Sequence, residues 1–386
     1  MKDKSSKKNN LVLKRFIIAA VLMLIVIAVA NYVTNENVRT YIDRNILKKE
    51  LVENSIKSIP INSENNVNIY AYDKYIAVLE KNELKLYDSS SNNIKKLSLE
   101  ISKPITDSKK QYLVVAENEG KSIYLIKDTN IVWKNEIDGK ISKINVNENG
   151  YVSVIVTNNT YKTIIYVFNP EGTSLFKKYL SSTLAVSTDI SPDNKYLVFG
   201  EIDYSGVSVK SNIEVISMEL AIKDPKNATP KKYNANQGQI LIDVNYTDNN
   251  NVVAMYDDNV VRYNLEEAKE ILKIGKDNIF VDINAKKKVV SFEKESSGLF
   301  SFKYKVLIKD SIDEKENIYI LNTSIPKNVI ANKNVIGMNF GTEVKIINLN
   351  GWLIKEYKAS KQIKDIVLGT NIAGIIYKDK IEIINF

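Results

Sequence analysis

Cysteine and histidine are both absent from the 386 residues. The chain therefore has no disulfide framework, no thiolate metal site and no lipid-bearing cysteine. Without imidazole, Ser-His-Asp and Cys-His nucleophile systems, histidine proton shuttles and nearly all zinc, copper and haem sites are excluded as well. Carboxylate pairs, Ser-Lys dyads and oxygen-ligand metals remain. No D-x-D-x-D-G calcium loop is present, and Glu119-Gly120 and Asp138-Gly139 are hairpin turns with no helix behind them to cradle a phosphate. No cofactor is called for.

Charge of one sign is also scarce once its location is considered. Residues 1–15 carry six bases against the single acid Asp3, which accounts for +5 of the net +8. Beyond them the two signs are interspersed and no basic stripe tracks a phosphate backbone, so nucleic acid is not an expected partner. The basic tail precedes residues 16–33 (FIIAAVLMLIVIAVANYV), which hold no charged side chain. With residues 11–13 upstream, this run reaches the roughly 20 residues that a bilayer-spanning helix needs. The positive-inside rule then leaves residues 1–15 in the cytoplasm and everything after residue 33 outside the cell membrane. Ala28-Val29-Ala30 has the small-x-small form of a signal-peptide cleavage site, which is the alternative, although the apolar core exceeds the usual ~7–15 residues.

Residues 34–58 place Val38, Tyr41, Ile42, Ile46, Leu47, Leu51, Val52 and Ile56 every three or four positions, which predicts an amphipathic helical stalk ended by Pro60. After that the pattern is all-β. Short Val-, Ile- and Tyr-rich runs are separated by Asn, Asp, Gly and Lys, and they fall into groups of four. The second run of each group is the most regular: 75–80 (YIAVLE), 112–117 (YLVVAE), 151–156 (YVSVIV), 196–201 (YLVFGE), 252–257 (VVAMYD), 289–293 (VVSFE), 335–340 (VIGMNF) and 372–377 (IAGIIY). A period of roughly 35–50 residues with four strands per unit predicts a β-propeller over residues 59–386. The count favours eight four-stranded blades over seven, and a two-sheet sandwich explains neither the period nor the grouping. The last unit has three runs and an orphan run lies at 56–61 (IKSIPI), so pairing the two closes the ring.

Ser191-Pro192-Asp193-Asn194-Lys195-Tyr196-Leu197-Val198 resembles the S-P-D-G-K-Y-L hairpin motif of WD40-like bacterial propellers. Asn194 stands where that motif has Gly, and Asn tolerates a left-handed turn. Trp133 and Trp352 are the only tryptophans, so the Trp-Asp signature of true WD40 repeats and the tryptophan docking motif of quinoprotein propellers are both missing. The layout of one apolar helix, a short stalk, then YAYDKYIAVLEKNELKLYD, ENEGKSIYLIKDTNIVW and NENGYVSVIV is similar to a family of membrane-anchored propellers of clostridia-like bacteria (domain of unknown function 5711). That resemblance spans nearly the whole chain and implies a fold without an activity.

Aligning the second runs brings Glu80, Glu117, Glu201, Asp257 and Glu293 to equivalent or adjoining strand-end positions, a candidate acidic rim. A strand end entering a turn is usually polar whatever its role. Two apparent inserts, 221–238 and 295–304, interrupt the repeat, and Phe300 and Phe302 in the second are candidate exposed anchors, with a plain extended hairpin as the alternative. The tyrosines lie mostly within strands and read as blade packing. The expectation is a membrane-anchored, non-catalytic binding or assembly scaffold outside the cell membrane, with an envelope protein or glycan as partner. A glycan hydrolase or lyase working through carboxylates on one face is the alternative.

Overall fold

The computed structural model describes residues 20–23, 25–27, 29–33, 38, 42, 57–62, 66–264, 267–295, 303–321 and 324–386. Two units separate, Met1–Ser55 and Ile56–Phe386. In the first, the described positions between 20 and 33 are helical. Among the described residues no helix is long and apolar enough to cross a membrane. A third of the expected span (16–19, 24 and 28) and nearly all of the expected stalk lie outside the described residues.

The second unit is a ring of eight four-stranded antiparallel blades. Blades 1 to 7 cover residues 67–98, 104–136, 140–180, 184–234, 241–273, 278–321 and 328–358, each running from its first strand to its fourth in chain order. Blade 8 takes its first three strands from Asp365–Leu368, Ile372–Ile376 and Lys380–Asn385 and its fourth from Ser58–Pro60, paired Ser58↔Glu382, Ile59↔Ile381 and Pro60↔Lys380. The expected closure by the two ends of the β region is thus present. The first strands of blades 1, 2, 3, 4 and 5, and of 7, 8 and 1, touch their neighbours and line the centre.

The sequence explains why the blades stack. Along a strand, side chains alternate between the two faces of the sheet. In a blade both faces are covered, so a second strand must be apolar at every position. In blade 2, Leu113 and Val115 point into the core shared with blade 1, and Val114 and Ala116 into the core shared with blade 3. All four are at most 1% exposed. Blade 1 does the same: Ala77 and Leu79 face blade 2, Ile76 and Val78 face blade 8. Eight hydrophobic clusters result, one for each pair of neighbouring blades, the 8–1 pair included. At about 1.5–3 kcal/mol for each buried Val, Leu or Ile side chain, these interfaces hold the ring.

The turns follow the asparagine content. Asn147 and Asn348 use Oδ1 to accept the backbone N–H two and four residues on, at 3.0 Å in each case. Gly172 and Gly351, at φ +84° and +79°, then close the third-to-fourth-strand turns, as the repeat of N-P-E-G and N-L-N-G implies. Asn194 has φ +61°, the left-handed conformation expected of it. The stretch 221–238 differs from the expected insert. It completes a helix, Met218–Lys223, capped by Ser217, and then supplies Lys231–Asn234 as the outermost strand of blade 4. An outermost strand has one free edge and a largely solvated face, so KKYN carries no apolar run by which to recognise it. In blade 6 the second and third strands run out to Glu295↔Lys303, so the flanks of the second insert are an extended hairpin. Phe300 and Phe302 lie outside the described residues.

Candidate functional site

The register places the five strand-end carboxylates on one face of the ring, where the first strands begin: Val67↔Glu80, Pro104↔Glu117, Ala185↔Glu201 and Asn278↔Glu293, with Asp257 just past Leu241↔Tyr256. Each is engaged within its own blade. Glu117 accepts the N–H of Ser102 at 2.6 Å and of Lys103 at 2.9 Å, plus the Ser102 hydroxyl at 2.8 Å. Asp257 accepts the N–H of Ile240 at 2.9 Å. Buried Glu201 accepts from Thr183 Oγ1 at 2.6 Å and pairs with Lys232 at 3.0 Å. Glu293 accepts from Asn278 at 3.1 Å and pairs with Lys305 at 3.3 Å, and Glu80 pairs with Lys85 at 3.1 Å. In blades 2, 4, 5 and 6 the same device recurs: an acid at or near the end of the second strand, followed by two more strand residues in blades 4 and 6, pins the start of the first strand or the segment that enters it. Glu117→Ala should cost about 0.5–1.5 kcal/mol, the net worth of hydrogen bonds whose exposed donors water can reach once the carboxylate is gone. The check is faster amide exchange at Ser102 and Lys103, with the rest of blade 2 still protected.

The opposite face, where the first strands end, gathers different chemistry. Three cavities of about 280, 230 and 570 Å³ follow one another in the central channel and share Asn284. Acids inside the first strands project into their walls and stitch neighbouring blades. Asp107 of blade 2 accepts the N–H of Val146 of blade 3 at 2.8 Å, and Asp189 of blade 4 accepts that of Tyr246 of blade 5 at 2.7 Å. Burial pushes both carboxyls above the usual range, and the Lys109 charge opposes it. The Lys109 ammonium, 3.9 Å from Asp189, is held up chiefly by that carboxylate and then by Asp107, against its own burial. Lys143 of blade 3 reaches Asp243 of blade 5 at 3.1 Å, where Asp243 also accepts from the Ser187 hydroxyl.

At the wide end, Glu148 follows the first strand of blade 3 and Lys333 that of blade 7, directly across an eight-membered ring, and the two form an ion pair. The second Glu148 oxygen is 2.7 Å from Lys110. Burial disfavours the Glu148 anion, but hydrogen bonds from Lys110 and Lys333 and their charges pull its carboxyl down to about 2. Lys333 goes the other way. Burial lowers it, Glu148 raises it, and Lys109 and Lys110 lower it again, leaving the ammonium below the usual lysine range. Lys286 lines the same 570 Å³ cavity and forms no ion pair among the described residues. None of these groups stands among the sequence candidates. The available signal is an acid inside the first run of several units (ITDSK, STDI, LIDV, FVDI), where the core-facing pattern calls for an apolar residue.

Among the described residues no cluster of three or more carboxylates could hold a metal ion. Solved propellers resemble the ring in fold. Sqt1 of Chaetomium thermophilum bound to the N-terminus of ribosomal protein L10 aligns with TM-score 0.52 and 12% identity over 86% of this chain and 100% of that one. A eukaryotic initiation factor aligns with TM-score 0.50 and 11% identity over 86% of each chain. BamB of Moraxella catarrhalis aligns with TM-score 0.48 and 10% identity over 86% and 99%. No curated protein matches the chain in sequence. A family model described as a family of unknown function (DUF5711) matches residues 48–386, and the chain belongs to that family.

Proposed function

We propose that the chain is a non-catalytic binding ring that holds a protein partner over the wide end of its channel. One observation carries this reading: the lysine-lined, 570 Å³ mouth is bordered by the ends of first strands on a scaffold clamped by eight interblade cores. Loops on such a scaffold meet a partner at little cost in ordering. The opposite rim commits its five sequence-singled carboxylates to its own blades, which leaves them less to offer a ligand. A propeller that holds a peptide segment has a parallel in Sqt1, a likeness of fold and no more. The uncharged run at residues 16–33 and the basic tail before it support display of this ring outside the cell membrane, with an envelope protein as partner.

Photo-cross-linkers at two exposed positions test the reading in intact cells: Asn334 beside the mouth and Glu119 on the opposite face. Asn334 should trap a discrete partner and Glu119 should not. Equal capture from both, or capture from Glu119 alone, moves the docking site away from the mouth. For the topology, protease added to whole cells should digest the ring's loops. Protection until the membrane is broken would place the ring inside.

A further inference from the structure

We propose that the channel mouth is a carboxylate site for an acidic peptide segment, in which an incoming carboxylate takes the place of Glu148 between Lys110 and Lys333. The inference rests on the docking reading above and names the chemistry of what enters. Glu148 itself is the internal precedent: one carboxylate bridges ammonium groups supplied by two other blades, Lys110 of blade 2 and Lys333 of blade 7. Its geometry shows that the gap accepts this group and gives each oxygen a cationic partner.

The occupancy is incomplete. Two ammoniums share one carboxylate, and Lys286, in the same cavity, has no ion pair among the described residues. Burial lowers Lys333 first, and the neighbouring Lys109 and Lys110 lower it further, against the hydrogen bond and charge of Glu148. The deeper Lys109 is better supplied with acids, because it faces both Asp107 and Asp189. The cavity of about 570 Å³ falls within the roughly 300–1,000 Å³ of ordinary ligand pockets and has space beyond the Glu148 side chain. Glu148 lies in the turn between two strands of blade 3, so a swing of its side chain opens the site without disturbing an interblade core.

Binding of fluorescein-labelled hexaglutamate to the full chain in detergent, followed by anisotropy at low salt, tests the proposal. Hexaglutamine and inorganic phosphate serve as the comparison probes. Hexaglutamate should bind and hexaglutamine should not. Lys333→Met and Lys110→Met should each weaken binding about tenfold or more, whereas Lys333→Arg should retain it. Glu148→Gln removes the resident competitor and should tighten binding severalfold, a gain that a merely structural role for Glu148 does not produce. Unfolding midpoints of each variant separate lost binding from lost fold. Unchanged or weaker binding by Glu148→Gln overturns the exchange. Equal competition by phosphate at matched concentration overturns the peptide in favour of a small-anion site. Cross-linking from Asn334 that persists in Lys110→Met/Lys333→Met sinks this inference and leaves the docking reading intact. Hexaglutamate binding without any cross-linked partner does the reverse.

Discussion

Lys109→Met should destabilise the propeller by about 3–5 kcal/mol at neutral pH, the cost of stranding buried charge when one partner is removed. Lys109 is the cation that faces Asp189 of blade 4, which is 2% exposed, and Asp107 two residues back on its own strand. Both carboxylates are also held by backbone N–H groups of the next blade, so neither can turn away to water without breaking an interblade hydrogen bond. Burial already lifts both carboxyls above their unfolded values. A carboxyl whose folded pKa lies above its unfolded one binds protons more tightly when folded, so stability falls as pH rises through that interval. Removing the lysine lifts both carboxyls further. The deficit of the variant should therefore be greatest at neutral pH and shrink as the pH falls towards the ordinary aspartate range near 4. Urea unfolding at pH 7.5 and pH 5 measures this, and Asp189→Asn in the same background should recover part of the loss. A deficit below about 1 kcal/mol that does not vary with pH would show that the channel pairs contribute nothing to the fold.

Ile59→Asp should open the ring. Ile59 is 5% exposed and belongs to the core between blades 8 and 1, on a fourth strand of only three residues. An aspartate there buries an unpaired charge and removes a side chain worth about 2–5 kcal/mol when deleted from a core. The consequence exceeds that figure because Lys380–Asn385 becomes an exposed edge. We expect a lower unfolding midpoint together with concentration-dependent association. Ile318→Asp, on the outermost strand of blade 6 and 50% exposed, is the matched control and should move stability by no more than about 0.5 kcal/mol. Equal behaviour of the two variants would mean that closure by the short strand is dispensable.

Blade 8 also carries an acid-sensitive element. Glu382 accepts from Tyr377 at 3.2 Å and from Tyr357, and pairs with Lys380 at 2.5 Å. Burial works against its charge, but the Lys380 and tyrosine hydrogen bonds win and hold the carboxyl below its usual value. Its stabilisation is therefore present above the unfolded glutamate pKa of about 4.3 and lost as pH falls through the lower folded value. Glu382→Gln should flatten the pH dependence of the unfolding midpoint below about pH 4.5, and an unchanged acid limb would remove Glu382 from the account.

What could be read from the sequence is what a single blade dictates. Tyr75–Glu80 and Tyr112–Glu117 are strands with the expected limits because a sheet covered on both faces demands an unbroken apolar run, and that demand is local. Asn194, Gly172 and Gly351 mark turns because left-handed backbone geometry is a property of the residue itself. Closure followed from counting, since three runs at one end and one at the other leave a single pairing. Lys231–Asn234 escaped because an outermost strand makes no comparable demand on composition.

The channel was decided by the ring alone. Lys333 and Glu148 are 185 positions apart and meet only because a circle of eight places blades 3 and 7 opposite each other. Lys109 reaches Asp189 and Lys143 reaches Asp243 by passing over an intervening blade. Within one repeat, Asp189 looks like an isolated acid in an apolar strand. Its partner is supplied by another repeat at a distance set by blade number and ring diameter, and no spacing along the chain records either quantity. The strand-end acids show the converse. Their alignment across blades could be read from the sequence and does bring them to one face, but only the folded loop shows that Glu117 and Asp257 spend their oxygens on the N–H groups beside them.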